Sequence, residues 1–130
     1  MTDARPDCVY GILVHDGRVF LGRYGDEFGL PGGVFRLLAE DRKVELKAHL
    51  FDQLGIRASA VWAQGAFLYR HPLENTERFS GFYTVWEWQG DVPAEAGEWL
   101  DEAAVVARIE QASLRIPLIS VLATLALRTR

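Results

Sequence analysis

The chain has 130 residues, 49% hydrophobic and 25% charged, which suits one domain with one buried core and excludes wholesale disorder. Its formal net charge of −4 argues against a nucleic-acid polymer as partner, because that needs a basic stripe to displace counterions. A nucleotide stays open, since one or two arginines or a metal ion can hold a phosphate locally. Cys8 is the single cysteine, so neither an intramolecular disulfide nor a cysteine zinc cluster can form.

The polar start, 1–7, lacks the apolar core of a signal peptide. The apolar run 116–127 is too short to span a bilayer and holds Pro117, Ser120 and Thr124. A soluble, cytoplasmic protein with no membrane association is expected. Residues 8–15 and 18–24 read as strands flanking Asp16-Gly17, a strong signal for a type I′ hairpin turn. Residues 24–33 carry four glycines and a proline, a loop with a short strand at 28–30. Leu46, Leu50 and Leu54 recur at i, i+4 and i+8, predicting a helix over 41–54 with Val44 and Phe51 widening its apolar stripe. Gly55 supplies the left-handed position that ends it. Residues 60–70 and 79–88 read as strands, 89–98 as a loop, and 99–110 and 114–127 as helices, with Pro117 tolerable only in a first turn. No linker or repeat divides 1–130, so a single domain is expected.

Leu30-Pro31-Gly32-Gly33, then Glu40, then a helix closing at Leu54-Gly55-Ile56 form a recognisable frame. It resembles the Nudix box, Gly-x5-Glu-x7-Arg-Glu-U-x-Glu-Glu-x-Gly-U with U aliphatic. The hairpin 11–21 and the segment Gly97-Glu98-Trp99-Leu100 are similar to the family's flanking parts. The resemblance covers essentially the whole chain and implies an α/β fold, an α/β/α sandwich around a mixed sheet. It also implies cleavage of a nucleoside diphosphate linked to another group, assisted by Mg²⁺ or Mn²⁺ held by clustered glutamates. Counting back from Gly55, however, the family's Arg-Glu pair reads Ala48-His49 and its Glu-Glu pair reads Asp52-Gln53. Six residues, 34–39, separate Gly33 from Glu40 where the pattern has five, and Ala48 cannot pair with Glu40.

Metal-assisted hydrolysis needs carboxylates converging on one face. Helical spacing gives Glu45, His49, Asp52 and Gln53 a common stripe. Of the three matched glutamate positions only Asp52 keeps a carboxylate. Candidate catalytic residues are therefore Glu40, Glu45, His49 and Asp52, and candidate metal ligands are Asp52, His49, Glu45 and Glu95, with Mg²⁺ or Mn²⁺ as cofactor if the protein is active and none otherwise. A solvated helix face with an i, i+4 Glu-His pair explains the same residues and is favoured about two to one on general grounds.

On the substrate side, the backbone at Gly32 and Gly33 can approach a phosphate, or form a plain tight turn. Arg23 matches a position where relatives carry a basic residue near phosphate. Arg70, His71 and Arg78 cluster around one loop and add positive potential or are unrelated surface groups. One of Tyr69, Tyr83 and Trp86 is expected to line a base pocket, although sheet core explains them well. Alternation puts Phe82, Trp86 and Trp88 on one strand face and Phe79 and Tyr83 on the other. The last helix is apolar on more than one side, leaving open a homodimer interface or burial against the domain's own sheet. Three functions follow, in this order. The first is a diverged Nudix protein that binds a nucleotide or other phosphorylated small molecule with weak or no hydrolysis. The second is an active metal-dependent pyrophosphohydrolase with a rearranged site, and the third is a protein-interaction module.

Overall fold

The computed structural model describes residues 8–34, 41–74 and 76–128. Strands β1 (Cys8–His15) and β2 (Arg18–Tyr24) form the expected hairpin. Asp16 and Gly17 take φ of 55° and 74° at its turn, the left-handed pair that this turn requires. The chain continues through β3 (Glu27–Gly29), β4 (Gly32–Val34), α1 (Arg42–Leu54), β5 (Arg57–Tyr69) and β6 (Arg78–Gln89). A 3-10 turn at Ala94–Ala96 leads into β7 (Gly97–Leu100), and α2 (Glu102–Arg108) and α3 (Ala112–Arg128) complete the fold.

The strands form a mixed sheet in the order β3-β2-β1-β6-β5, with β4 paired to β1 and β7 to β2. β1 runs parallel to β6 and antiparallel to β2 and β4. Period-two alternation divides the sheet's side chains between two cores. Val9, Leu13, Phe20 and Val85 pack with Leu46, Leu50 and Leu54 of α1. Tyr10, Ile12, Leu21 and Phe82 pack with Val105 of α2 and with Leu114, Leu118 and Val121 of α3. The result is an α/β/α sandwich.

α1 forms where the leucine spacing predicts it. Asp41 caps it by accepting from Lys43 N at 2.8 Å, and Gly55 at φ 71° ends it. The buried stripe is narrower than expected. Val44 is 59% and Phe51 47% exposed, and Phe51 lies under the Arg57 guanidinium, 4.7 Å from its ring centre.

Four other expectations are corrected. Residues 32–34 form a strand because β1 pairs with them. Trp99 belongs to β7 because Phe20 pairs with it across the sheet, so the helix starts later, at Glu102. Pro117 lies beyond the first turn of α3, which starts at Ala112. Trp88 packs with the α1-side core whereas Phe82 and Trp86 pack on the α3 side. The β5–β6 ladder carries register irregularities at Ala58/Ala60, Ala60/Val61 and Ala63/Gly65, which break simple alternation.

Candidate functional site

The segment Leu30–Val34 is held by its backbone from three directions. Leu30 N donates to Tyr69 Oη at 3.2 Å, and Leu30 O accepts from His71 Nε2 at 3.1 Å. Gly11 N donates to Pro31 O at 2.9 Å. From α1, Gln53 takes both polar groups of one residue. Gly32 N donates to Gln53 Oε1 at 3.0 Å, and Gln53 Nε2 donates to Gly32 O at 2.7 Å. One turn earlier, His49 Nε2 donates to Val34 O at 3.0 Å.

The glycines are dictated by this clamp. Gly32 has φ 142°, and a Cβ there would lie 2.1 Å from Val9 O. A Cβ on Gly33 would lie 3.0 Å from His49 Cε1. The close approach that Gly32 and Gly33 permit is to β1 and to α1. In this arrangement the Gly32 N–H faces Gln53 rather than open solvent.

The predicted catalytic stripe is therefore divided. Glu45 is 5% exposed and its Oε2 lies 3.5 Å from His49 Nε2. Asp52 and Gln53 are exposed. Glu95 sits exposed in the 3-10 turn before β7, and Glu40 lies outside the described residues. Among the described residues no three His, Cys, Asp or Glu side chains converge on a point that could hold a metal ion. At two of the three matched positions, His49 Nε2 and both polar atoms of Gln53 bond the β4 backbone. This donor set does not fit Mg²⁺ or Mn²⁺, which need several oxygens at one centre.

Arg23 stands in a different setting. It pairs with Glu98 of β7, and its guanidinium lies 5.1 Å from the centre of the Phe28 ring. Arg108, at the end of α2, grips the same carboxylate with two bonds, Nη1 to Oε1 at 2.9 Å and Nη2 to Oε2 at 3.3 Å. It also lies 4.7 Å from the Phe28 ring centre. Arg70 bonds Glu27 at 3.2 Å. Arg23, Phe28, Arg70 and Arg108 line one cavity of about 730 Å³, together with the carboxylates of Asp26, Glu27, Glu77 and Glu110. Arg108 and Phe28 escape detection in the sequence, since they meet Arg23 only through the pairing of β2 with β3 and the docking of α2.

The loop cluster of Arg70, His71 and Arg78 separates on folding. Arg70 joins the cavity, Arg78 pairs with Glu74 at 3.6 Å, and His71 is buried. His71 Nδ1 accepts from Leu73 N at 3.1 Å while Nε2 donates to Leu30 O, an assignment that needs the neutral ring. Burial lowers its pKa accordingly. Tyr69, one of the three aromatics of which one is expected to line a base pocket, is core: burial pushes its phenol above the ordinary tyrosine range, and its ring packs edge-on against Tyr10 and Phe82.

The fold is shared with solved structures. The MutT protein of Bacillus halodurans superposes with a TM-score of 0.70 over 88% of this chain and 80% of its own, at 18% identity. The MutT Nudix hydrolase of Burkholderia pseudomallei gives 0.64 over 87% and 95%, at 20% identity. This chain has the Nudix fold. A third structure with it is the Nudix domain of Shewanella oneidensis NrtR, solved with ADP-ribose, at a TM-score of 0.63 and 18% identity over 97% of this chain and 90% of that one. No protein-family model and no curated protein matches the sequence.

Proposed function

We propose that this Nudix-fold protein binds a nucleotide or another phosphorylated small molecule in the cavity of Arg23, Phe28, Arg70 and Arg108, with weak or no hydrolysis. The observation that carries the reading is the engagement of His49 and Gln53 with the backbone of β4. Side chains at two glutamate positions of the Nudix box serve as a clamp, so the loop is kept in shape without carboxylates to draw a cation. The cavity offers a phosphorylated ligand three guanidinium groups, in competition with the carboxylates of Asp26, Glu27, Glu77 and Glu110 that line it too. Guanidinium groups bind phosphate through paired N–H donors, and Phe28 holds the guanidiniums of Arg23 and Arg108 over its ring. The ADP-ribose held by the NrtR Nudix domain supports a nucleotide-type ligand on this scaffold.

Arg23 and Arg108 share Glu98, so an incoming phosphate competes with that carboxylate. Binding is then expected to be moderate and to tighten when Glu98 is neutralised. The test is thermal shift and calorimetric titration with ADP-ribose, nucleoside di- and triphosphates and sugar nucleotides, in chelator. Saturable binding that Arg23→Ala and Arg108→Ala weaken, and that Glu98→Gln strengthens, is expected. Product release on the same panel with Mn²⁺ or Mg²⁺ completes the test. Metal-dependent turnover lost in Asp52→Ala would overturn the reading in favour of a rebuilt hydrolase. Absence of any ligand response would leave the scaffold as an interaction module.

A further inference from the structure

A second cavity, of about 650 Å³, opens where His15 ends β1, Trp88 nears the end of β6 and Trp99 lies in β7. It shares no lining residue with the arginine cavity. Consecutive residues of β7 serve the two sites, Glu98 bonding the arginines and Trp99 walling this one. The rings of Trp88 and Trp99 are nearly parallel, 15° apart in plane with centres 6.0 Å apart. His15 meets both obliquely, at 6.4 and 6.0 Å. Trp88 and Trp99 are half-buried and His15 is exposed. Phe20, 5.4 Å from Trp99, supports one side of that indole from the core.

Glu87 and Asp91 add two exposed carboxylates to the rim, and among the described residues no lysine or arginine lines the cavity. Indole faces carry negative quadrupole potential, and the carboxylates reinforce it. Phosphate is disfavoured in such a place. A hard divalent cation would find aromatic carbon where it needs converging oxygens. A primary ammonium is strongly hydrated and loses much on entering an apolar wall. A quaternary ammonium has neither problem, because it cannot hydrogen-bond and its methyl groups gain by leaving water. We propose that this aromatic and acidic cavity binds a trimethylammonium group.

Free choline-type molecules and trimethylated lysine both present that group, so the test carries both. Tryptophan fluorescence is followed at constant ionic strength while choline, a trimethyllysine peptide, or 3,3-dimethylbutan-1-ol is added. The last is the neutral carbon isostere of choline. Saturable quenching by at least one cationic probe is expected, with the isostere weaker by roughly threefold to thirtyfold; the tighter probe identifies the source. Glu87→Gln with Asp91→Asn, at exposed positions, is expected to weaken the cationic probe severalfold and leave the isostere unchanged. Equal responses to choline and its isostere, or no response to either cation, would overturn the proposal. Because no arginine of the other cavity is involved, retention of this binding in Arg23→Ala separates its outcome from that of the nucleotide reading.

Discussion

Gln53 satisfies both the N–H and the carbonyl of Gly32, a pairing available to an amide and not to a carboxylate. Glutamate, the residue that the Nudix box carries at this position, would keep an acceptor for Gly32 N but set a second carboxylate oxygen against Gly32 O. Gln53→Glu is therefore expected to destabilise the fold by about 1–2 kcal/mol, read as a lower urea midpoint with an unchanged slope. Equal or higher stability would show that the clamp contributes nothing. His71 supports the same loop from the other side and depends on its neutral ring. Its folded pKa is lowered by burial, so below the ordinary histidine value of about 6.5 the unfolded chain takes the proton more readily. The stability due to His71 is complete above that value and declines as pH falls below it toward the folded pKa, by at most about 1.4 kcal/mol per unit. Urea unfolding at pH 7.5 and 5.5 measures this. His71→Gln is expected to be less stable at pH 7.5 and to lose less between the two pH values than the wild type, whose carboxylates contribute equally to both proteins.

At the level of elements, α1 is an independently signalled helix whose side chains then shape β4. Asp41 accepts from Lys43 N at its first turn, and Asp41→Ala is expected to cost about 1 kcal/mol in thermal or urea unfolding. Asp41→Ser, which keeps a capping oxygen, should recover most of that loss. The legibility of the sequence follows from whether an element signals itself. The leucine spacing, the cap and Gly55 lie within one segment, so α1 could be placed from sequence to within a residue. Gly32–Val34 contains two glycines and no strand-forming pattern. It becomes a strand only because β1, far earlier in the chain, supplies partners such as Tyr10 for Gly32. Residues Gly97–Leu100 are likewise a strand through β2. The candidate site divides in the same way. The helical stripe of Glu45, His49 and Asp52 was visible as spacing, but its engagement with β4 was not, because a side chain's bond to a distant carbonyl leaves no mark in periodicity. Arg23 was visible at its strand end, and its companions Phe28 and Arg108 required the folded sheet.

For the molecule as a whole, the apolar character of α3 decides between burial and association. Leu114, Leu118, Val121 and Leu122 are buried against the sheet core that contains Tyr10, Ile12, Leu21 and Phe82. Among the residues of α3 whose side chains are described, Ile116, at 60%, is the one large hydrophobic with wide exposure. Its neighbours on that side, Ala112, Ser120, Ala123 and Thr124, are exposed and small or polar. A stable dimer interface removes about 800 Å² of surface per partner around a buried apolar centre, and one isoleucine among such residues supplies little of it. The helix reads as apolar on several sides because it covers a broad sheet face and meets α2 as well. The protein is accordingly expected to sediment as a monomer at high micromolar concentration. Ile116→Asp should leave both the sedimentation coefficient and the unfolding midpoint nearly unchanged, whereas Leu118→Ala, wholly buried, should cost about 2–5 kcal/mol. A dimer in the wild type that Ile116→Asp dissolves would reverse this assignment and make the outer face of α3 an interface.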